Sequence, residues 1–156
     1  MILQTQNADD KGVIFALIFM LSNQLQSIGD TFFEEVSTKQ WFVLVVLNIM
    51  DGYSPTLSEL SEAVGSSHQN VKQLVLKLEQ KGYVEISKDA EDARRLRISL
   101  TPKSEAFSKA YEEKSAQFLN QLFDRFKKEE LSTAKHVLFT MRNRLEGMEK
   151  DYVRKK

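Results

Sequence analysis

Residues 56–101 carry the order of elements that most constrains the fold: a short helix, a tight turn, a second helix and two short strands. Thr56 and Glu59 have the spacing of a capping box, in which each side chain satisfies a backbone N–H at a helix start. Gly65 ends the apolar repeat where a left-handed residue can stop the helix. The pattern predicts a helix-turn-helix followed by a β-wing.

The second of these helices has an apolar face and a polar face. Its predicted buried stripe consists of Val71, Leu74, Val75 and Leu78. Ser66 or Ser67 can cap it, and Ser66 with Gln69 repeats the capping-box spacing. The opposite face carries His68, Gln69, Asn70, Lys72, Gln73 and Lys77. Such a face is common on solvated helices, but directly after a tight turn it favours a recognition helix for the DNA major groove.

Two runs of strand-forming residues, 83–86 and 95–100, enclose a polar turn at 88–94 and predict the wing. The second run alternates with a period of two, which predicts one apolar face towards the core. The residues expected on that face are Leu96, Ile98 and Leu100, and those expected on the other are Arg95, Arg97 and Ser99. Thr101 and Pro102 then form a cap and a first-turn proline for a further helix.

Four motifs in this order resemble the MarR family of bacterial transcription regulators. They are STKQWFVLVVL from Ser37, LSELSEAVG from Leu57, LVLKLEQKGYVE from Leu74, and the wing D-x-x-D-x-R ending at Arg94 and followed by Leu100-Thr101. The resemblance is close over 37–101 and extends to the flanks in length and helical pattern. One departure is Ala93, where the family's wing often has a basic residue.

The resemblance implies a mostly α fold with a small β-wing and one MarR-like domain over residues 1–156. Residues 37–101 would form the winged-helix DNA-binding lobe, and residues 10–35 and 102–150 would form dimerisation helices. The implied function is that of a homodimeric, sequence-specific regulator, a repressor on a pseudo-palindromic operator, released by a small aromatic or phenolic effector. The alternative function is a winged-helix protein-interaction module that binds no DNA.

The groove geometry assigns roles to the exposed residues. Amide side chains at Gln69, Asn70 and Gln73 can pair with adenine edges, and His68 with guanine or phosphate. Arg94 at the wing tip is expected in a narrow minor groove, or as a brace on Asp92, or both. The full set predicted to contact DNA is Ser67, His68, Gln69, Asn70, Lys72, Gln73, Lys88, Arg94, Arg95 and Arg97.

The regions outside the wing are predicted to be helical. One helix is expected over about 10–35, a second with a capping box of Ser37 and Gln40, a loop over 51–55, a helix from Pro102 to about Lys127, and a last helix capped by Ser132. Aromatic residues that could line an effector space are Phe15, Phe19, Phe42, Phe107 and Tyr111. Aromatic residues at helical spacing are, however, more often core.

Composition limits the remaining possibilities. The chain has 22 basic and 22 acidic residues among 156, which argues against a nonspecific polycation but not against a local basic face. It has no cysteine, and His68 and His136 are its only histidines, so neither thiol chemistry nor a metal or catalytic site is expected, and no cofactor. The apolar run 13–21 is short for a bilayer and lacks a preceding basic cluster, which predicts a soluble, cytoplasmic protein.

Overall fold

The computed structural model describes residues 9–89, 91, 92 and 94–153. Over these residues the chain is mostly helical with one small hairpin, as predicted. The elements are α1 (Asp10–Phe32), α2 (Thr38–Ile49), α3 (Leu57–Val64), α4 (His68–Gln80), β1 (Val84–Lys88), β2 (Leu96–Leu100), α5 (Pro102–Leu122) and α6 (Lys128–Val153). The chain divides into two compact units between Lys109 and Ala110, within α5. The division into a lobe at 37–101 with flanking dimerisation helices stays a prediction.

Side-chain caps define where α2 and α3 begin in the first unit. The Ser37 hydroxyl accepts from the Gln40 backbone N–H at 3.3 Å, and Gln40 Oε1 accepts from the Ser37 N–H at 3.1 Å. Thr56 and Glu59 form the same reciprocal pair at α3, at 3.3 and 2.7 Å. Gly65 ends α3 in the left-handed region with φ 68°. Each of these predicted boundaries is confirmed, because a cap satisfies backbone donors that the helix leaves free.

The second helix of the motif begins and ends with defined caps. Ser67 caps α4 by accepting from the Asn70 N–H at 3.3 Å, so the predicted Ser66–Gln69 capping box is not the one that forms. At the other end Gly82 has φ 75°, and the Tyr83 N–H donates to the Leu78 carbonyl at 2.9 Å. This bond pattern is a Schellman motif, which turns the chain from α4 directly into the wing.

The core of the first unit lies where α2, α3, α4 and the wing meet. Its buried hydrophobic members are Phe33, Val36, Val43, Leu44, Leu47, Leu60, Val71, Val75, Leu78, Tyr83, Val84, Ile98 and Phe107. Burying each large apolar side chain contributes about 1.5–3 kcal/mol. Since α4 supplies three of these residues from one face, its other face is held outward.

The wing is an antiparallel hairpin in which Val84 pairs with Leu100 and Lys88 with Leu96. The Ile98 N–H also donates to the Pro55 carbonyl at 3.0 Å, which attaches β2 to the start of α3. The predicted alternation is only partly right. Ile98 is buried, but Leu96 is 50% exposed, because it pairs with exposed Lys88 at the far end of the hairpin.

Helix ends in the second unit differ from the prediction. α5 stops at Leu122 rather than near Lys127, and Arg125 takes a left-handed φ of 65° in the following turn. α6 then begins at Lys128, with the Glu130 carboxylate accepting from the Lys127 N–H at 2.7 Å. Ser132 lies inside this helix, so its prediction as the cap is wrong. Glu130 lies in the first turn of α6 and caps the helix from there. A cap of this kind is overlooked when only serine and threonine hydroxyls are considered.

α1 is one helix of 23 residues with no buried residue. The predicted helix ran to residue 35, but it ends at Phe32, and Phe33 and Val36 turn into the core. By length and composition alone α1 could cross a membrane. The apolar run 13–21 therefore underestimated the length of the apolar helix, because residues 22–26 are mostly polar but uncharged and continue it.

Candidate nucleic-acid interface

α4 exposes to solvent a polar face made of uncharged and basic side chains. Val71, Val75 and Leu78 anchor its opposite side in the core. The exposed side chains on the free face are Ser67, His68, Gln69, Asn70, Lys72, Gln73 and Lys77. All predicted major-groove residues are therefore accessible from one side, and the two acidic groups nearest in sequence, Glu62 and Glu79, lie on α3 and in the last turn of α4. Such a surface suits duplex DNA, which offers base-edge acceptors and donors between two rows of phosphates.

Asn70 has a partner already in the free protein. Its Nδ2 donates to the Ser66 hydroxyl at 2.8 Å, while its own backbone N–H donates to Ser67. The side-chain bond fixes the amide plane at the start of α4 and leaves one N–H and the Oδ1 atom for another group. An amide with one donor and one acceptor left can still pair with adenine at two points.

The wing tip is a turn organised by two aspartates. One oxygen of Asp89 accepts from the backbone N–H groups of Glu91 and Asp92 at 2.8 and 3.0 Å. Asp92 accepts from the Arg94 N–H at 3.1 Å, and its other oxygen pairs with the Arg95 guanidinium at 3.5 Å. The predicted brace on Asp92 thus involves the Arg94 backbone and the Arg95 side chain. The departure at Ala93 lies outside the described residues.

Arg94 is exposed, and no ion pair of its guanidinium is found within the described part of the chain. Lys88 and Arg95 are also exposed on the wing, although Arg95 shares its charge with Asp92. Three exposed cations are therefore placed along one hairpin. Of the two in the turn, Arg95 is paired with Asp92, whereas Arg94 has no ion pair in the described part of the chain. An exposed cation of this kind fits the negative potential of a narrow minor groove.

Arg97 lies in a different setting, at the base of the wing. Its Nε donates to Asp89, and its Nη1 donates to the Tyr53 hydroxyl at 3.2 Å and to the Ser54 carbonyl at 3.1 Å. Glu59 Oε2 lies 3.5 Å from the same Nη1. The side chain is only 24% exposed. The predicted DNA contact of Arg97 remains a prediction, but these contacts favour a structural role.

The hydrogen bonds of this network favour the charged forms of Glu59, Asp89 and Arg97. The Thr56 backbone N–H, then the Tyr53 and Thr56 hydroxyls, lower the pKa of Glu59 to about 2. The Arg97 guanidinium, then the N–H groups of Glu91 and Asp92, lower the pKa of Asp89 to about 2. The hydrogen bond to Asp89 in turn raises the pKa of Arg97. Both carboxylates consequently stay ionised throughout the physiological pH range.

Sequence reasoning missed three members of this network. Tyr53 was read only as part of a loop, Glu59 only as a capping residue, and Asp89 only as part of a polar turn. The available signal was Arg97 itself, since an arginine beside a core residue such as Ile98 is partly covered and then needs a partner.

The five aromatic residues predicted for an effector space do not share one environment. Phe15 and Phe19 form an exposed edge-to-face pair on α1, with ring centroids 5.1 Å apart, and Phe42 is also exposed. Phe107 is instead a core residue, 5.3 Å from the Tyr83 ring. Tyr111 belongs to the second unit and has the Lys114 ammonium over its ring. None of the five lines the described cavity of about 550 Å³ between the end of α5 and α6.

A helix-turn-helix with an exposed amide-bearing and lysine-bearing helix, followed by a hairpin with exposed cations, defines a winged helix-turn-helix. This class of domain places the second helix in the major groove of duplex DNA. Among the described residues, no group of three or more histidine, aspartate or glutamate side chains could hold a metal ion.

Comparison with known proteins supports one family. The sequence profile described as "MarR family" matches residues 35–95. The chain is 29% identical over 128 residues to the transcriptional repressor MprA of Escherichia coli (strain K12), covering 82% of this chain and 68% of that protein. These two matches support a MarR family transcriptional regulator, a class of non-enzymatic DNA-binding proteins. This similarity supports regulation through DNA over the alternative of a protein-interaction module.

Solved structures show the same fold. A MarR/EmrR family transcriptional regulator from Acinetobacter sp. ADP1 superimposes with a TM-score of 0.78 at 23% identity, over 90% of this chain and 99% of that one. The S. aureus MepR–DNA complex gives 0.75 at 22% identity, over 88% and 99%. The organohalide-sensing regulator RdhR-CbdbA1625 in its 2,4-dichlorophenol-bound form gives 0.75 at 18% identity, over 90% and 84%.

Proposed function

We propose that this protein is a cytoplasmic transcriptional repressor that binds a pseudo-palindromic operator as a homodimer. The observation that carries the proposal is the exposed face of α4, where three amides and two lysines stand opposite the buried residues Val71, Val75 and Leu78. Repression is supported by the likeness to MprA, which is a transcriptional repressor. Since one recognition helix contacts few base pairs, two copies would read half-sites about 34–36 Å apart.

The dimer is supported by the apolar residues that α1 and α6 expose. On α1 these are Ile14, Phe15, Leu17, Phe19, Met20, Leu21, Leu25 and Ile28, and on α6 they are Leu131, Val137, Leu138, Phe139, Leu145 and Met148. Apolar surface on this scale marks an interaction site. Two copies related by a twofold axis would cover it and would also place two α4 helices for one inverted repeat.

The surface of α1 is also better suited to packing against a partner helix than to crossing a membrane. The second half of α1 contains Ser22, Asn23, Gln24 and Gln26 within five positions, and its last turns carry Asp30. Asp30 accepts from the Thr38 N–H at 2.7 Å, which ties α1 to the DNA-binding lobe. A helix interrupted by amides and joined to a lobe that reads DNA fits the interior of a dimer better than lipid.

An effector that weakens DNA binding is the remaining part of the proposal. It is supported by RdhR-CbdbA1625, a structural relative whose 2,4-dichlorophenol-bound form is known. For this chain we propose a small aromatic or phenolic compound, contacted by some of Phe15, Phe19, Phe42 and Tyr111. Phe107 is less suited, since it is committed to the core beside Tyr83.

The experiment that tests the function is selection of binding sites from a random duplex pool with the full chain, followed by gel shifts at low and moderate salt. The proposal expects one enriched inverted repeat that is bound more tightly than random duplex at both salt concentrations. Binding that does not differ between sequences, or that vanishes at moderate salt for all of them, would refute a sequence-specific regulator.

Arg94→Ala is expected to weaken binding to the selected duplex by about 1–3 kcal/mol, because it removes the cation at the wing tip. The slope of log affinity against log salt should flatten by about one if a phosphate contact is lost as well. Fluorescence anisotropy across a salt series measures both quantities. The matched control is Arg125→Ala, which removes an exposed arginine from the α5–α6 turn. An Arg94 variant that folds and keeps wild-type affinity and slope would show that the wing tip does not contact DNA.

Gln69→Ala and Asn70→Ala are each expected to relax sequence preference more than they lower nonspecific affinity. Both residues lie in the first turn of α4, where an amide can read adenine at two points, worth about 1–3 kcal/mol of discrimination. Repeating the site selection with each variant measures the preference directly. Gln80→Ala, an exposed amide at the other end of α4, is the control. An unchanged preferred site in both variants would mean that neither side chain reads a base.

A further inference from the structure

We propose that Arg97 is a positioning residue that fixes the wing against the start of α3 and so aims Arg94 at the DNA, rather than a residue that contacts DNA itself. This inference rests on the proposed function, because it concerns how the wing reaches a groove. It assigns Arg97, Asp89 and Tyr53 a joint role.

The contacts of Arg97 connect three separate segments. Its Nε is bonded to Asp89 at the end of β1, and its Nη1 is bonded to Tyr53 and Ser54 in the loop after α2. Glu59 in the first turn of α3 completes the set, with the Tyr53 hydroxyl donating to Glu59 Oε1 at 2.8 Å. A planar guanidinium can hold several acceptors in fixed directions, which the single ammonium of lysine cannot. The wing is thereby tied sideways to the helix-turn-helix.

Asp89 connects this network to the wing tip. One carboxylate oxygen binds Arg97, and the other accepts the N–H groups of Glu91 and Asp92 that form the turn before Arg94. Asp92 then accepts from the Arg94 N–H at 3.1 Å. A continuous series of hydrogen bonds thus runs from Tyr53 to the backbone of Arg94. Without it, the hairpin beyond the core-attached Ile98 would be held mainly by its own ladder, which is marginal in water.

The surroundings also argue against a direct phosphate contact by Arg97. Its side chain is 24% exposed, whereas that of Arg95 on the same hairpin is 65% exposed. Two carboxylates, Asp89 and Glu59, lie within 3.5 Å of it or closer and offset its charge. A phosphate approaching this side chain would meet net negative charge, so the charge of Arg97 is used within the protein.

The test measures the affinity of full-length variants for the duplex selected by the wild-type protein. Arg97→Met should lower that affinity about tenfold, comparable to losing a groove contact. Arg97→Lys should fail to restore it, because the charge returns but the fixed directions do not. In an Arg94→Ala background the same Arg97→Met change should alter affinity by less than about twofold, since coupled residues are not additive.

A second pair of variants separates positioning from charge. Asp89→Asn removes a negative charge, which by electrostatics alone would strengthen DNA binding. We expect it to weaken binding, because an amide has only one acceptor oxygen. Its NH2 group would therefore face either the Arg97 guanidinium or the N–H groups of Glu91 and Asp92, donor against donor. Glu91→Gln removes the same charge from the exposed wing turn and should leave affinity unchanged or slightly higher. This pair decides the matter even if Arg97→Met does not fold, which circular dichroism and melting curves report.

Three results would overturn the inference. The first is wild-type affinity in Arg97→Lys, which would make Arg97 a simple cation at the DNA. The second is a full tenfold loss from Arg97→Met in the Arg94→Ala background, and the third is tighter binding by Asp89→Asn. If the wild-type chain selects no duplex at all, the proposed function fails and this inference fails with it. A selected duplex combined with any of the three results removes only the role of Arg97.

Discussion

The double substitution Leu138→Glu and Leu145→Glu is expected to dissociate the homodimer and to abolish specific DNA binding. The two leucines are seven positions apart on α6 and are 55% and 61% exposed in the single chain. Each leucine buried in an interface contributes about 1.5–3 kcal/mol, and a twofold axis brings each change in twice. Four buried carboxylates would add a desolvation penalty on top of this loss.

Sedimentation velocity of the double variant, paired with a gel shift on the selected duplex, measures both effects. The matched control is Asn143→Glu, which adds a negative charge to an exposed polar position of the same helix. It should remain a dimer with specific binding intact. A double variant that stays dimeric would place the interface elsewhere. A monomeric variant that keeps full specific affinity would separate assembly from DNA binding and contradict the proposed mechanism.

Gly29→Ala is expected to destabilise the protein by about 1–3 kcal/mol, the cost of overpacking a close contact. A Cβ at Gly29 would lie 2.4 Å from the Thr38 hydroxyl oxygen. Thr38 cannot move freely, because that hydroxyl donates to the Gln26 carbonyl at 3.0 Å and lies 2.8 Å from Asp30 Oδ1. The substitution should therefore force α1 away from the start of α2, where the two helices are joined.

Gly12→Ala on the same helix provides the opposite expectation. Nothing lies within 4 Å of a Cβ at that position, so alanine should stabilise α1 by up to about 1 kcal/mol through helix propensity. Urea denaturation of both variants measures the two free energies of unfolding. A Gly29→Ala variant as stable as Gly12→Ala would show that the α1–α2 junction adjusts without cost. Thr38→Ala combined with Gly29→Ala should recover part of the loss if the clash is the cause.

Local chemistry made the helix-turn-helix predictable. Thr56, Glu59 and Gly65 each act on backbone groups within a few residues, so their spacing determines where α3 begins and ends. The start of α4 was left between Ser66 and Ser67, and the structure selects Ser67. The exposed face of α4 followed from the same reasoning, because the buried stripe fixes the opposite side. For these elements the sequence pattern and the structure coincide almost residue by residue.

Contacts between distant segments were not predictable in this way. The Arg97 network joins positions 53, 59, 89 and 97, and no periodicity relates a loop tyrosine to a strand arginine. The exposure of Leu96 likewise depends on how far the hairpin extends beyond the helices that cover it. At the α5–α6 turn, a glutamate cap and the left-handed Arg125 replaced the expected serine. Such features follow from packing and from backbone geometry that the residue type does not specify.

Sedimentation of the full chain with a fluorescent duplex tests the central claim most directly, using the selected site either intact or with one half scrambled. The account predicts two chains on the intact duplex and loss of specific binding when either half is scrambled, because each α4 reads one half-site of an inverted repeat. One chain per duplex, bound to the single remaining half-site with full affinity, would contradict both the dimer and the palindromic operator.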